Sequence, residues 1–179
     1  MRTLKYALLG MLNKQDMTGY ELMKLFEGAL AEFWSVKHSQ IYPELKRLTE
    51  EGMVTYTVEI SGSVLEKKLY SITELGRQDF MNWLGQTHKM KATPKEEFRL
   101  QLFYSSALSP ERQVYILEDQ LKQHQIRLEH LKKNQSEFGE IPQKGTYEFS
   151  DYLVLLGAIR REESNCNWLK ECIDMCKED

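Results

Sequence analysis

The chain has 179 residues, 41% of them hydrophobic and 28% charged, with a formal net charge of −3. This is an ordinary globular mixture, long enough to bury one or two cores, and the sparse Pro and Gly (4 and 10) favour long helices over a strand-rich sandwich. No stretch approaches the ~18 apolar residues of a membrane span. Charge balances over residues 1–90 and the acidic excess lies in the second half, so any phosphate-binding patch must be local.

The opening segment, MRTLKYALLGMLNK, joins a cationic start to a short apolar run. No small-residue cleavage site follows and the helical pattern continues, so it reads as a helix of a cytoplasmic protein and not as a signal peptide. Leu4, Ala7, Leu8, Met11 and Leu12 carry the helical spacing. After a polar break at 13–17, Thr18 and Glu21 form a capping-box pattern. The helix they open carries Leu22, Met23, Leu25, Phe26, Ala29, Leu30 and Phe33. A third helix is expected from near Ser39 to Gly52, with Ile41, Leu45 and Leu48 on one face. Ser39, Pro43, Lys46, Arg47 and Glu50 point the other way, and Gln40 lies at the margin. Pro43 is tolerated there if it falls in the first turn.

The period then changes. Residues 53–60 are rich in β-branched and aromatic residues, Ser61-Gly62-Ser63 is a turn cluster, and residues 67–72 read as a returning strand, so the segment reads as one β-hairpin. Thr73 caps a fourth helix that runs to about Leu84, with Phe80, Trp83 and Leu84 as its apolar contacts. Three helices, a two-stranded hairpin and a further helix make a winged-helix unit over residues 1–88, with the hairpin as the wing.

Residues 89–179 read as a second, helical unit. Phe98, Leu102 and Leu108 are placed in a helix ending near Ser109-Pro110. A long helix follows, with Val114, Leu117, Leu121, His124, Leu128 and Leu131 alternating three and four apart. After a break at 139–145, a last helix repeats the alternation with Tyr152, Leu155, Ile159, Cys166, Leu169, Ile173 and Cys176, interrupted only by Glu162. Two such seams in one small unit suggest pairing with a second copy. Leu117, Leu121, Leu128, Tyr152, Leu155, Ile159, Leu169 and Ile173 are accordingly the candidate dimerisation residues. His124, set among leucines, has three readings: a register-setting residue, a pH sensor or a satisfied core histidine.

Cys166, Cys172 and Cys176, an odd number in one segment, are no disulfide framework, and no histidine pairs with them at zinc spacing. Neither a metal site nor a cofactor is expected. The chain lacks a Gly-rich phosphate loop, HExxH and GxSxG, and its adjacent glutamates diverge on a helix, so an enzyme is not expected.

The strings Tyr6-Ala7-Leu8-Leu9-Gly10-Met11-Leu12, Gly19-Tyr20-Glu21-Leu22, Trp34, Ile41-Tyr42-Pro43-Glu44-Leu45-Lys46-Arg47-Leu48, Glu51-Gly52-Met53-Val54 and Lys68-Leu69-Tyr70-Ser71-Ile72-Thr73-Glu74-Leu75-Gly76-Arg77 resemble the PadR family in order and spacing. The second half resembles the helical C-terminal domain of its longer members, which are related to virulence-gene activators. The resemblance implies a cytoplasmic homodimer with a winged helix in each arm, mostly repressing promoters at inverted-repeat sites. Some members respond to phenolic acids and others to unrelated compounds or to none known.

On that reading the third helix enters the major groove, and Ser39, Gln40, Tyr42, Pro43, Lys46 and Arg47 face DNA. Lys37 and His38, just before it, reach toward the backbone. Thr18 and Tyr20 sit at the start of the second helix, where backbone N–H groups suit a phosphate; Tyr20 reads equally well as a core residue. Lys67 and Lys68 lie on the wing, and strand alternation sends them to opposite faces, which argues for one contact and not two. Two other readings stay open: a winged-helix module that binds proteins, and a ligand-dependent activator.

Overall fold

The computed structural model describes residues 2–27, 34, 36–61, 65–90, 92 and 94–178. It divides into two compact units, Met1–Lys91 and Ala92–Asp179. Among the described residues no helix is long and apolar enough to cross a membrane.

In the first unit, α1 (Thr3–Leu12) buries Leu8, Leu9, Met11 and Leu12. A two-residue strand, β1 (Met17–Thr18), precedes α2 (Gly19–Glu27). Two residues carry no readable period, which is why the sequence shows only a polar break there. The expected capping box is present: the Glu21 carboxylate accepts from the Thr18 amide at 2.7 Å and from its hydroxyl at 2.8 Å. Leu22 and Phe26 are buried and Leu25 is exposed, while Ala29, Leu30 and Phe33 lie outside the described residues.

The third helix, α3 (His38–Glu50), buries Ile41, Leu45 and Leu48, and also Glu44. It starts one residue earlier than expected, so Pro43 is its sixth residue and lies beyond the first turn. Pro43 therefore has no N–H for the carbonyl four residues back, that of Ser39, at the exposed start of the helix. The helix closes in a Schellman motif: Met53 N–H donates to the Leu48 carbonyl at 2.9 Å and Gly52 N–H to that of Thr49 at 3.0 Å. Gly52 supplies the φ of +70° that this motif requires.

Strands β2 (Val54–Ser61) and β3 (Leu65–Ile72) pair antiparallel, with Tyr56 opposite Tyr70 and Val58 opposite Lys68. The expected two-stranded wing gains β1 as a third strand, in the order β1-β3-β2, through Met17–Tyr70 and Thr18–Leu69. The turn residues Gly62 and Ser63 lie outside the described residues. Helix α4 (Glu74–Leu84) is capped by Thr73, whose hydroxyl accepts from Gly76 N–H at 3.1 Å and donates to the Gly52 carbonyl at 2.7 Å. A Cβ on Gly76 would lie 2.1 Å from the Met53 carbonyl oxygen, so only glycine lets α4 pack against the end of α3. Leu84, expected in the core, is exposed; Phe80 packs there, and Trp83 stacks on Tyr6 at 4.5 Å.

The second unit holds α5 (Glu97–Phe103), a 3-10 turn at Ser105–Ala107, α6 (Pro110–Ser136) and α7 (Tyr147–Lys177). Leu108 falls after the turn and outside α5, contrary to the sequence reading. The two seams face each other within one chain. Leu117, Leu169 and Ile173 are buried together in one apolar cluster, and Leu131, Leu155, Ala158 and Ile159 in another. Each helix covers the other, so the seams do not by themselves require a second copy, contrary to expectation: Leu117, Leu155, Ile159, Leu169 and Ile173 form the unit's own core. Leu121, Leu128 and Tyr152 keep partial exposure.

A polar layer separates the two clusters. Glu162, only 2% exposed, lies with its Oε2 2.5 Å from His124 Nδ1 and its Oε1 3.6 Å from Arg127 Nε. The interruption of one seam is thus the partner of the odd residue in the other.

Candidate nucleic-acid interface

Gly19, Tyr42 and the β1–β3 pairing tie three elements into one surface. A Cβ on Gly19 would stand 2.6 Å from the Tyr42 ring, so the tyrosine of α3 lies directly over the start of α2. Thr18, the residue before that start, is paired with Leu69 of the wing. Between the start of α2, the outer face of α3 and the base of the wing lies a cleft of about 1270 Å³. Thr18, Tyr20, Lys24, Tyr42, Lys46 and Tyr56 line it with Lys67, Lys68 and Tyr70, among others.

The cleft carries the local basic charge that net charge conceals. Four lysines, Lys24, Lys46, Lys67 and Lys68, line it against two glutamates, Glu21 and Glu50. Lys68 stands over the Tyr56 ring at 4.1 Å and Lys24 over Tyr20 at 5.0 Å, so aromatic faces hold both ammonium groups. Lys46 approaches Glu50 at 3.9 Å, with both side chains well exposed, where the attraction is small. The Glu21 carboxyl is held below its ordinary range, first by the Thr18 amide and hydroxyl bonds and further by the positive charge of Lys67. Burial pushes the Tyr70 phenol up, against the lowering influence of Lys68.

Ser39, Gln40, Tyr42, Pro43, Lys46 and Arg47 are all exposed on α3. Tyr20 is 56% exposed and so belongs to the surface, not to the core. Lys67 and Lys68 both reach the same cleft, although alternation separates their Cβ atoms; long stems overcome the pleat. Gln40 is partly engaged, its carbonyl oxygen accepting the Lys37 N–H at 3.4 Å. His38 is the first residue of α3 and lies 3.1 Å from Glu27. Ser39, Gln40, Pro43, Arg47, Lys37 and His38 do not line the cleft; they extend the exposed face along α3 and its entry.

Sequence reasoning missed Lys24 and Tyr56. Both signals were readable: Lys24 follows Tyr20 by four residues on one helix face, and Tyr56 is the cross-strand partner of Tyr70.

Comparison with known proteins fits this geometry. The Transcriptional regulator PadR-like family matches residues 8–82, and the Virulence activator alpha C-term family matches residues 94–177. The chain is 38% identical to the negative transcriptional regulator PadR of Bacillus subtilis (strain 168), covering 100% of both chains. The crystal structure of Bacillus subtilis PadR in complex with operator DNA superposes with a TM-score of 0.93 at 38% identity, over 98% of this chain and 100% of that one. The structure of the same protein in complex with p-coumaric acid superposes with a TM-score of 0.89 at 36% identity, over 99% and 100%.

Proposed function

The chain belongs to the PadR-like family of transcriptional regulators, and from that premise we propose that it is a sequence-specific DNA-binding repressor acting as a cytoplasmic homodimer. The observation that carries this reading is the exposed face of α3 beside the lysine-lined cleft. Residues 1–88 take the DNA-binding role and residues 89–179 the dimerising one.

The division of labour follows from chemistry. Gln40 is suited to an adenine edge, and Lys46 or Arg47 to guanine or phosphate. Lys24, Lys67 and Lys68 act as point charges toward the DNA backbone, with Tyr20 and Tyr56 as their aromatic supports. Thr18 and Tyr20 face a phosphate at the start of α2. Lys37 and His38 meet the backbone beside it. An inverted-repeat operator follows from two such faces related by a twofold axis.

With much of the expected seam enclosed in the chain's own core, the second copy is left the exposed apolar residues Leu100, Phe103 and Tyr104 near α5, Leu153 and Val154 on α7, and the half-exposed Leu121, Leu128 and Tyr152. A small-molecule effector releases the operator by binding the DNA-incompetent state more tightly. Because a relative is solved with p-coumaric acid, a phenolic acid is the first compound to try.

The test is a fluorescence-anisotropy titration against the duplex upstream of the protein's own gene, at two salt concentrations, beside an unrelated duplex. Tight, salt-sensitive binding to the first duplex alone is expected, with release by the phenolic acid. Absence of binding to either duplex at low salt moves the reading to a ligand-dependent activator or a protein-binding winged helix.

A further inference from the structure

Glu44 is an acidic residue on the buried face of the helix that carries Arg47. It is 9% exposed and lies among Ile41, Leu45 and Leu48. A carboxylate so placed needs a partner, and the partner comes from outside the helix: Arg2, at the start of α1, donates its Nε to Glu44 Oε1 at 2.9 Å and its Nη2 to the same oxygen at 2.6 Å. The Arg2 Nη1 donates to Glu51. Glu44 and Glu51 are seven residues apart, two turns of helix, so one guanidinium holds the inner side of α3 over its C-terminal half.

The second oxygen of Glu44 has another cation near it. Arg47 Nη1 stands 3.8 Å from Oε2, too far for a hydrogen bond, and the Arg47 side chain remains half exposed. Two arginines therefore compete for one nearly buried carboxylate, and Arg2 holds it.

We infer that Arg2 is a positioning residue for DNA binding: by neutralising Glu44 it leaves Arg47 free to reach a DNA phosphate. Without Arg2, the buried carboxylate draws Arg47 inward by one rotamer change, and the protomer loses one DNA contact. The inference rests on the DNA-binding reading above.

The test compares the wild type with Arg2→Ala, Arg2→Lys, Arg47→Ala and the double variant Arg2→Ala/Glu44→Gln, in the salt dependence of operator binding by the full chain. Each phosphate contact contributes about 0.9 to the slope of log K against log salt. For a dimer, Arg2→Ala is expected to flatten the slope by about 1.8, as Arg47→Ala does, and the double variant to restore it because residue 44 is then uncharged. Arg2→Lys is expected to keep most of the slope. A mere loosening of α3 weakens binding without this pattern, so an unchanged slope in Arg2→Ala, or no restoration in the double variant, overturns the inference.

A DNA-free arm separates the two readings. The side-chain Nε–H resonance of Arg47 is expected to become protected from solvent exchange in Arg2→Ala and to be released in the double variant. If it does so while the wild type binds no DNA, the clamp stands and the DNA reading fails. If the resonance is unaffected, the clamp fails whatever the DNA result.

Discussion

Replacing His124 with leucine leaves Glu162 buried between two apolar clusters with its nearest hydrogen-bonding partner gone. The 2.5 Å contact to Nδ1 is lost, and Arg127 at 3.6 Å and Arg161 at 3.9 Å are too distant to replace it fully. Orphaning a buried charge costs about 3–5 kcal/mol, and the two arginines hold the loss near the lower end, about 3 kcal/mol. Glu162→Leu is milder, because His124 is partly exposed and keeps Gln120 at 3.4 Å; about 1 kcal/mol is expected. In the double variant, leucines join the clusters around Leu117 and Leu131 into one seam, so its stability is expected within about 1 kcal/mol of wild type, or above it. The coupling is therefore at least about 3 kcal/mol, where independent sites add to within about 0.5 kcal/mol. Urea unfolding at fixed protein concentration, with the slope checked for constancy, measures it. A double variant that loses the full sum of the two single costs refutes the reasoning.

Gly76→Ala sets a methyl group against the Met53 carbonyl and is expected to destabilise the first unit by about 2–3 kcal/mol, read from thermal unfolding; a loss below about 0.5 kcal/mol contradicts the packing. The Glu21 carboxyl is depressed below its ordinary value of 4.5, so its contribution is complete above that value and is lost as pH falls through the lower folded value. Stability is expected to decline below about pH 5, and Glu21→Gln to flatten part of that decline; an unchanged acid profile contradicts it. Burial pushes the Cys166 and Cys172 thiols up, so alkylation at pH 8 is expected to be at least about tenfold slower in the folded protein than in urea. Equal rates exclude that environment.

The fold is legible where a long period or a strong punctuation exists. The apolar spacing of α1, α3, α6 and α7, the Thr18–Glu21 and Thr73 caps and Gly52 all carry their meaning locally. What the sequence does not display is pairing between segments. β1 is too short to show a period and exists because β3 offers it hydrogen bonds. The two long seams look like surfaces awaiting a second molecule, since a seam read alone does not say which seam covers it.

The candidate site divides in the same way. The exposed face of α3 follows from helical spacing, and Lys46 and Arg47 were identifiable at once. The convergence of Lys67 and Lys68 on one cleft was not, because alternation fixes Cβ directions while a lysine stem is long enough to cross the pleat. Glu44 was hidden by its charge: a carboxylate on the buried side of a helix becomes intelligible only with Arg2, 42 residues away, against it.

The claim that the outer face of α3 reads the operator is tested most directly by selecting bound sequences from a randomised duplex pool, with wild type, Gln40→Ala and Lys46→Ala side by side at one salt concentration. The account predicts that Gln40→Ala relaxes the preference at one position in each half-site, while every variant keeps the same half-site spacing. Identical preferences and affinities in all three proteins would contradict it and would place recognition away from α3.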